Sequence, residues 1–178
     1  MLVEVRVQSL ALDRTTNTPV VILQELGGER VLPIWIGPSE ASAIAMQLAD
    51  MEFSRPLTHD LLCSVLKRLD GALEKVIITK VEKSTYYAEL VVHRDAEVIS
   101  LDARPSDSIA VALRVDAKIY ADGDLLEEAT IEVAEEETVA PPEGTRLEPL
   151  ETDAPMDADE LKEYLRGLDP EDFGRFTP

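Results

Sequence analysis

SLDARPSDSIAVALRVDAKIYA, residues 100–121, changes period twice. It opens on the end of a strand-like run, EVISLDA. Pro105 then leads into the helix-forming run Ile109-Ala110-Val111-Ala112-Leu113, and KIYAD at 118–122 alternates like a short strand. Between strand and helix sit Arg104, Pro105, Ser106, Asp107 and Ser108. A Ser hydroxyl accepts hydrogen bonds from loose amides at a helix start, and an acid in the first turn suits the helix dipole. Asp107 therefore either begins a helix or works on a substrate, and the local chemistry allows both.

Working outward, residues 2–10 place Val3, Val5 and Val7 on one side and Glu4, Arg6 and Gln8 on the other, the period of a half-buried strand. TPVVILQEL at 18–26 reads as a second strand. A turn at Gly27 and Gly28 leads into RVLPIWIG, so the three runs form an antiparallel meander, with Pro33 marking an edge or a bulge. From Pro38 the period becomes helical, and THDLLCSVLKRLD at 58–70 gives a second helix with Leu62, Val65, Leu66 and Leu69 on one face. Three more strand-like runs, LEKVIITKVE, STYYAELVVHR and EVISLDA, precede the helix of the opening stretch. DLLEEA reads as a last turn.

This order predicts an α+β fold: a mostly antiparallel mixed β-sheet with about three packed helices, plus an acidic C-terminal tail. Residues 1–130 are expected to form one domain. Residues 131–158, rich in acids and prolines, read as a disordered linker, and 159–178 as a short amphipathic segment with Leu161, Tyr164, Leu165 and Leu168 on one face, a docking element for the domain or a protein partner.

Charge narrows the function classes. Of the formal −19, residues 1–127 contribute 13 Lys+Arg against 20 Asp+Glu, net −7, and residues 128–178 contribute 4 against 16, net −12. Tight nucleic-acid binders neutralise phosphates with a basic face, so nucleic acid is expected here only as a weakly held substrate. No apolar run approaches the roughly 18 residues of a membrane helix. The N-terminus lacks the pattern of a secretory signal, and a lone Cys63 suits a reducing compartment, so a cytoplasmic location without membrane contact is expected. Exposed sheet edges in so small a domain favour a homo-oligomer.

Three helix starts share a device: Pro38-Ser39-Glu40, Arg55-Pro56-Leu57-Thr58-His59-Asp60 and Arg104-Pro105-Ser106-Asp107. As structure, Ser39, Thr58 and Ser106 are N-caps and the three acids serve helix dipoles. As chemistry, convergence of the starts would offer Glu40, Asp60 and Asp107 as oxygen ligands for Mg²⁺ or Mn²⁺, with Arg55 and Arg104 for a phosphate and His59 as a proton carrier. His59 and Cys63 are spaced for contact on a helix, but two ligands make no site, and a buried structural cysteine is the expectation. His93 reads as a surface residue and Trp35 as core or interface.

Three stretches, LPIWIGPSEASAIAMQL at 32–48, RPLTHDLL at 55–62 and SLDARPSDSIAVALRVDAKIYA at 100–121, resemble the bifunctional nuclease domain family in order and over about residues 1–130. The resemblance implies a compact, oligomeric α/β domain and DNase and RNase activity, attributed to some members. By motif it carries over Glu40, His59, Asp60, Arg104, Ser106 and Asp107. The expectation is a divalent-metal-dependent nuclease of low sequence specificity acting on DNA and RNA. Its catalytic residues are His59, Asp60 and Asp107, its phosphate contacts Arg55, Arg104 and Ser106, and its metal ligands Glu40, Asp60 and Asp107. The alternative is a non-enzymatic interaction or regulatory module whose polar helix starts are structural caps.

Overall fold

The computed structural model describes residues 1–13 and 16–129. The linker and C-terminal segment expected over 131–158 and 159–178 lie outside the described residues. Seven strands form one sheet: β1 (Leu2–Asp13), β2 (Thr18–Glu25), β3 (Val31–Trp35), β4 (Gly71–Glu82), β5 (Thr85–Arg94), β6 (Glu97–Ala103) and β7 (Lys118–Asp122). Helices α1 (Pro38–Leu48) and α2 (Thr58–Arg68) join β3 to β4, and α3 (Pro105–Val115) joins β6 to β7.

The strand order is β3-β2-β1-β7-β4-β5-β6. The meander β1–β2–β3 is antiparallel, as its alternation and Gly27 turn require, and Gly27 takes the left-handed φ of 81° that its lack of a Cβ permits. Pro33 lies on β3, an edge strand, where a missing N–H donor does least harm. The expected mixed character of the sheet comes from one pair: β7 runs parallel to β4 and antiparallel to β1.

This corrects the weight given to KIYAD. The five-residue β7 is the central strand that joins two three-stranded halves rather than an addition at the end. The last turn at DLLEEA proves to be a helix over residues 123–129, with Leu125, Leu126 and Ala129 buried.

Alternate residues of the strands fill one continuous core, among them Val21, Leu23, Ile34, Val76, Ile78, Leu90 and Ala121, and the helices cover it through Ile44, Ile109, Ala110 and Ala112. Seven of the eleven α3 residues are buried, so α3 is the central helix, packed against both α1 and α2. In α2 no residue is buried. Leu62, Val65 and Leu69, placed by the sequence on one face with Leu66, stand 39%, 43% and 62% exposed, and only Leu66 packs against the core. Trp35 is likewise exposed rather than core, its indole N–H donating to Asp13 Oδ2 at 3.1 Å.

Candidate functional site

The helix starts are built differently from the expected Ser/Thr caps. Proline takes the first helical position in α1 and α3, which places the N-cap one residue earlier, at Gly37 and Arg104; in α2 the N-cap is Leu57. Ser39, Thr58 and Ser106 are therefore inside the first turn, and none of the three starts has a side-chain cap of the expected kind. An acid does this work in α2, where Asp60 Oδ2 accepts the Leu57 amide at 2.8 Å. Ser108, fully buried, donates to the Arg104 carbonyl at 2.9 Å and fixes the backbone from which the Arg104 side chain leaves.

Convergence, the step the sequence left open, is present for two of the three carboxylates. Arg104 Nη2 lies 2.9 Å from Glu40 Oε1 and 3.1 Å from Asp107 Oδ1, while its Nε donates to Asp107 Oδ2 at 2.7 Å. His59 Nε2 meets Asp107 Oδ1 at 3.2 Å. The starts of α1, α2 and α3 are thus tied in one chain, Glu40–Arg104–Asp107–His59. Arg104 is its exposed member, at 65%, and the His59 side chain is 14% exposed.

Asp60 belongs to a second cluster. Its Oδ1 accepts from Arg114 Nε at 2.6 Å. The Arg114 side chain, 6% exposed, also donates to the Ala43 carbonyl of α1 and the Ala110 carbonyl of α3, so one guanidinium joins all three helices. Sequence reading missed Arg114 because it lies near the end of an apolar helical run, where a cation suits the dipole and signals nothing more. Of the remaining expected residues, Ser106 is buried, and Arg55 is exposed in the loop before α2 and makes none of these contacts.

Each oxygen of the three expected metal ligands is engaged: Glu40 by Arg104 and Ser39, Asp60 by Arg114 and the Leu57 amide, Asp107 by Arg104 and His59. Among the described residues no group of three or more His, Cys, Asp or Glu is placed to hold a cation. In this arrangement the donor set does not fit a divalent ion, because guanidinium groups hold the same oxygens.

Burial pushes the Asp107 carboxyl up, but hydrogen bonds and charge from Arg104 and His59 outweigh it and hold the carboxyl below its ordinary value. Glu40 is likewise raised by burial and lowered further by Ser39, its own amide and Arg104; Asp60 by Arg114 and the Leu57 amide. Arg104 is raised, chiefly by its bond to Asp107. Burial pushes the Cys63 thiol up, which suits a structural cysteine and not a thiolate.

Carboxyls depressed in the folded state stabilise it above the ordinary carboxylate range, and that stabilisation is lost as pH falls through their folded values. The thermal unfolding midpoint is therefore expected to fall steeply below about pH 4. Asp107→Asn should remove at most about one proton from the acid uptake and flatten the slope. Scanning calorimetry from neutral to acid pH checks this, and a midpoint flat across that range would contradict the arrangement.

Of this chain, Arg104 and Asp107 line an open hollow of about 510 Å³, together with Leu62 of α2, Tyr86 and Leu90 of β5, Ala103 of β6 and Val111 of α3.

The Bifunctional nuclease domain pattern matches residues 21–134, which contain every residue of both clusters. An uncharacterized protein of Mycobacterium tuberculosis (strain H37Rv) is 38% identical over 170 residues, spanning 96% of this chain and 97% of its own. Bifunctional nuclease 1 of Oryza sativa subsp. japonica is 28% identical over 105 residues, 57% of this chain but 32% of that protein, and Bifunctional nuclease 1 of Arabidopsis thaliana is 24% identical over 105. With the matched pattern covering well over half of its residues, the chain belongs to the bifunctional nuclease domain family.

Proposed function

We propose that this chain is a nuclease that hydrolyses phosphodiester bonds of DNA and RNA with low sequence specificity, and that the Glu40–Arg104–Asp107–His59 chain is its active site. The observation that carries the reading is the meeting of an exposed arginine and a nearly buried histidine on one carboxylate at the rim of an open hollow. Family membership supports the reaction class.

Each group has a role its surroundings allow. Arg104 offers a planar fork of N–H donors to the non-bridging phosphate oxygens, where negative charge builds as the phosphorus becomes five-coordinate. Exchange of Glu40 and Asp107 for phosphate as its partner costs little, because the guanidinium is already at the surface. Asp107, ionised, accepts from His59 Nε2; the tautomer that carries its proton there leaves Nδ1 as the proton-accepting nitrogen. His59 takes a proton from the attacking water or, in RNA, from the ribose 2′-hydroxyl, and Asp107 stabilises the imidazolium that results. The phosphorus–oxygen bond to the leaving group then breaks, and the leaving oxygen takes up a proton. Asp60 acts at a distance, as the tie that holds α2, and so His59, to α3.

Dependence on Mg²⁺ or Mn²⁺ is a separate part of the proposal, to which no ligands of this arrangement are assigned. The test is cleavage of labelled single-stranded DNA and RNA by purified protein and by Asp107→Asn, each with Mg²⁺, with Mn²⁺ and with chelator. Cleavage lowered about 10²–10⁴-fold in the folded variant supports the active site. Equal cleavage by both proteins removes it, and full cleavage in chelator removes the metal alone. The alternative, a non-enzymatic interaction module, draws on one observation of its own, the outward apolar face of α2.

A further inference from the structure

We propose that the hollow beside Arg104 is a base-binding subsite, in which Tyr86 and Leu62 hold the nucleobase of the nucleotide whose phosphate Arg104 contacts. The inference rests on the nuclease reading above and adds to it the place of the uncharged part of the substrate. The apolar lining is drawn from separate elements: Leu62 from α2, Tyr86 and Leu90 from β5 and Val111 from α3. Leu90 and Val111 are buried, at 7% and 0% exposed. Leu62, 39% exposed, and the part-buried Tyr86 are the apolar lining residues that solvent reaches. A flat apolar group entering the hollow would cover both.

Charge decides which end of a nucleotide enters. The lining holds two carboxylates, Asp102 and Asp107, against one cation, Arg104, and Asp107 is already bonded to that cation. A phosphate inside would face both acids. Outside, it meets Arg104, whose side chain is 65% exposed. A nucleobase is neutral and apolar on its faces, so the lining that repels the phosphate accepts the base. Phosphate and base are one sugar apart in a nucleotide. A phosphate on Arg104 therefore brings its base to the residues that share the hollow with Arg104. Stacking on an aromatic ring serves every base, because every base has a π-face. Such a subsite adds affinity without reading sequence, in keeping with cleavage of low specificity, and a base must leave a double-helical stack to enter it. Its contribution is made to bound substrate and transition state alike, so its loss is read in KM and not in kcat.

The full chain is tested on a thymidine oligomer and on a tetrahydrofuran oligomer of equal length, which keeps every phosphodiester and lacks every base. The thymidine oligomer is expected to show a kcat/KM about tenfold to a hundredfold higher, with the difference in KM. Tyr86→Leu and, separately, Leu62→Gln at a solvent-exposed position should erase most of that difference by slowing cleavage of the thymidine oligomer alone. In parallel, an oligomer carrying 2-aminopurine should lose fluorescence when titrated with wild type and keep it with Tyr86→Leu. Equal cleavage of the two oligomers by wild type overturns the subsite and leaves the nuclease reading standing. Folded variants that slow both oligomers alike also overturn it. Quenching that depends on Tyr86, without cleavage of either oligomer, upholds the subsite and removes the nuclease reading. Wild type that neither quenches nor cleaves removes both.

Discussion

Alanine at Arg104 is expected to lower kcat/KM for phosphodiester cleavage by about 10²–10³-fold, the usual cost of removing one preorganised donor at a developing negative charge. Lysine should recover only part, since an ammonium cannot reproduce the two-point contact of the guanidinium. Folding should hardly notice: the side chain is 65% exposed, and screened surface ion pairs are worth under about 1 kcal/mol. That separation makes the variant informative. His59→Ala, measured beside it, should lose about 10²–10⁴-fold and flatten the pH dependence of the rate. Wild-type cleavage by both folded variants would show that the helix starts are tied together for structure alone.

The opposite profile is expected at Arg114. Its guanidinium is almost fully buried, holds Asp60 on α2 and caps carbonyls of α1 and α3. Methionine there leaves Asp60 without its cation and unties α2 from α1 and α3, a loss of about 2–3 kcal/mol. For a domain of this size the thermal midpoint should fall on the order of 10 °C or more. Adding Asp60→Leu to Arg114→Met should recover part of the loss, because the stranded charge is removed with its partner. Activity should fall too, since α2 carries His59 and Arg114 anchors α2. Calorimetry on the single and double variants decides the point, and a midpoint within a degree or two of wild type for Arg114→Met would contradict it.

The contrast between the two arginines shows what the sequence carried. Arg104 was legible because it stands in a dense polar run between a strand and a helix, where each residue type has a local reason and the excess invites a question. Arg114 was not: its partners are 54 and 71 residues away, and nothing local distinguishes it from a cation at a helix end. The strand meander, the Pro33 edge and the central apolar helix followed from period and turn chemistry. The N-caps did not, because a Ser after a Pro lies one position too late to cap the helix that the Pro opens. In α2 the spacing located the apolar stripe and left its direction open, since periodicity finds a stripe but not what covers it.

The place of β7 at the centre of the sheet bears on how the chain is made. Leu2 pairs with Asp122, so β1 waits about 120 residues of synthesis for one of its neighbours. Until then β1–β3 and β4–β6 are two half-sheets, each with an open inner edge. Such edges are templates for wrong pairing, and contacts this far apart in sequence slow folding. Five residues, 118–122, close both edges at once, so nascent chains stalled before them hold most of the core-forming sequence and none of the strand that unites it.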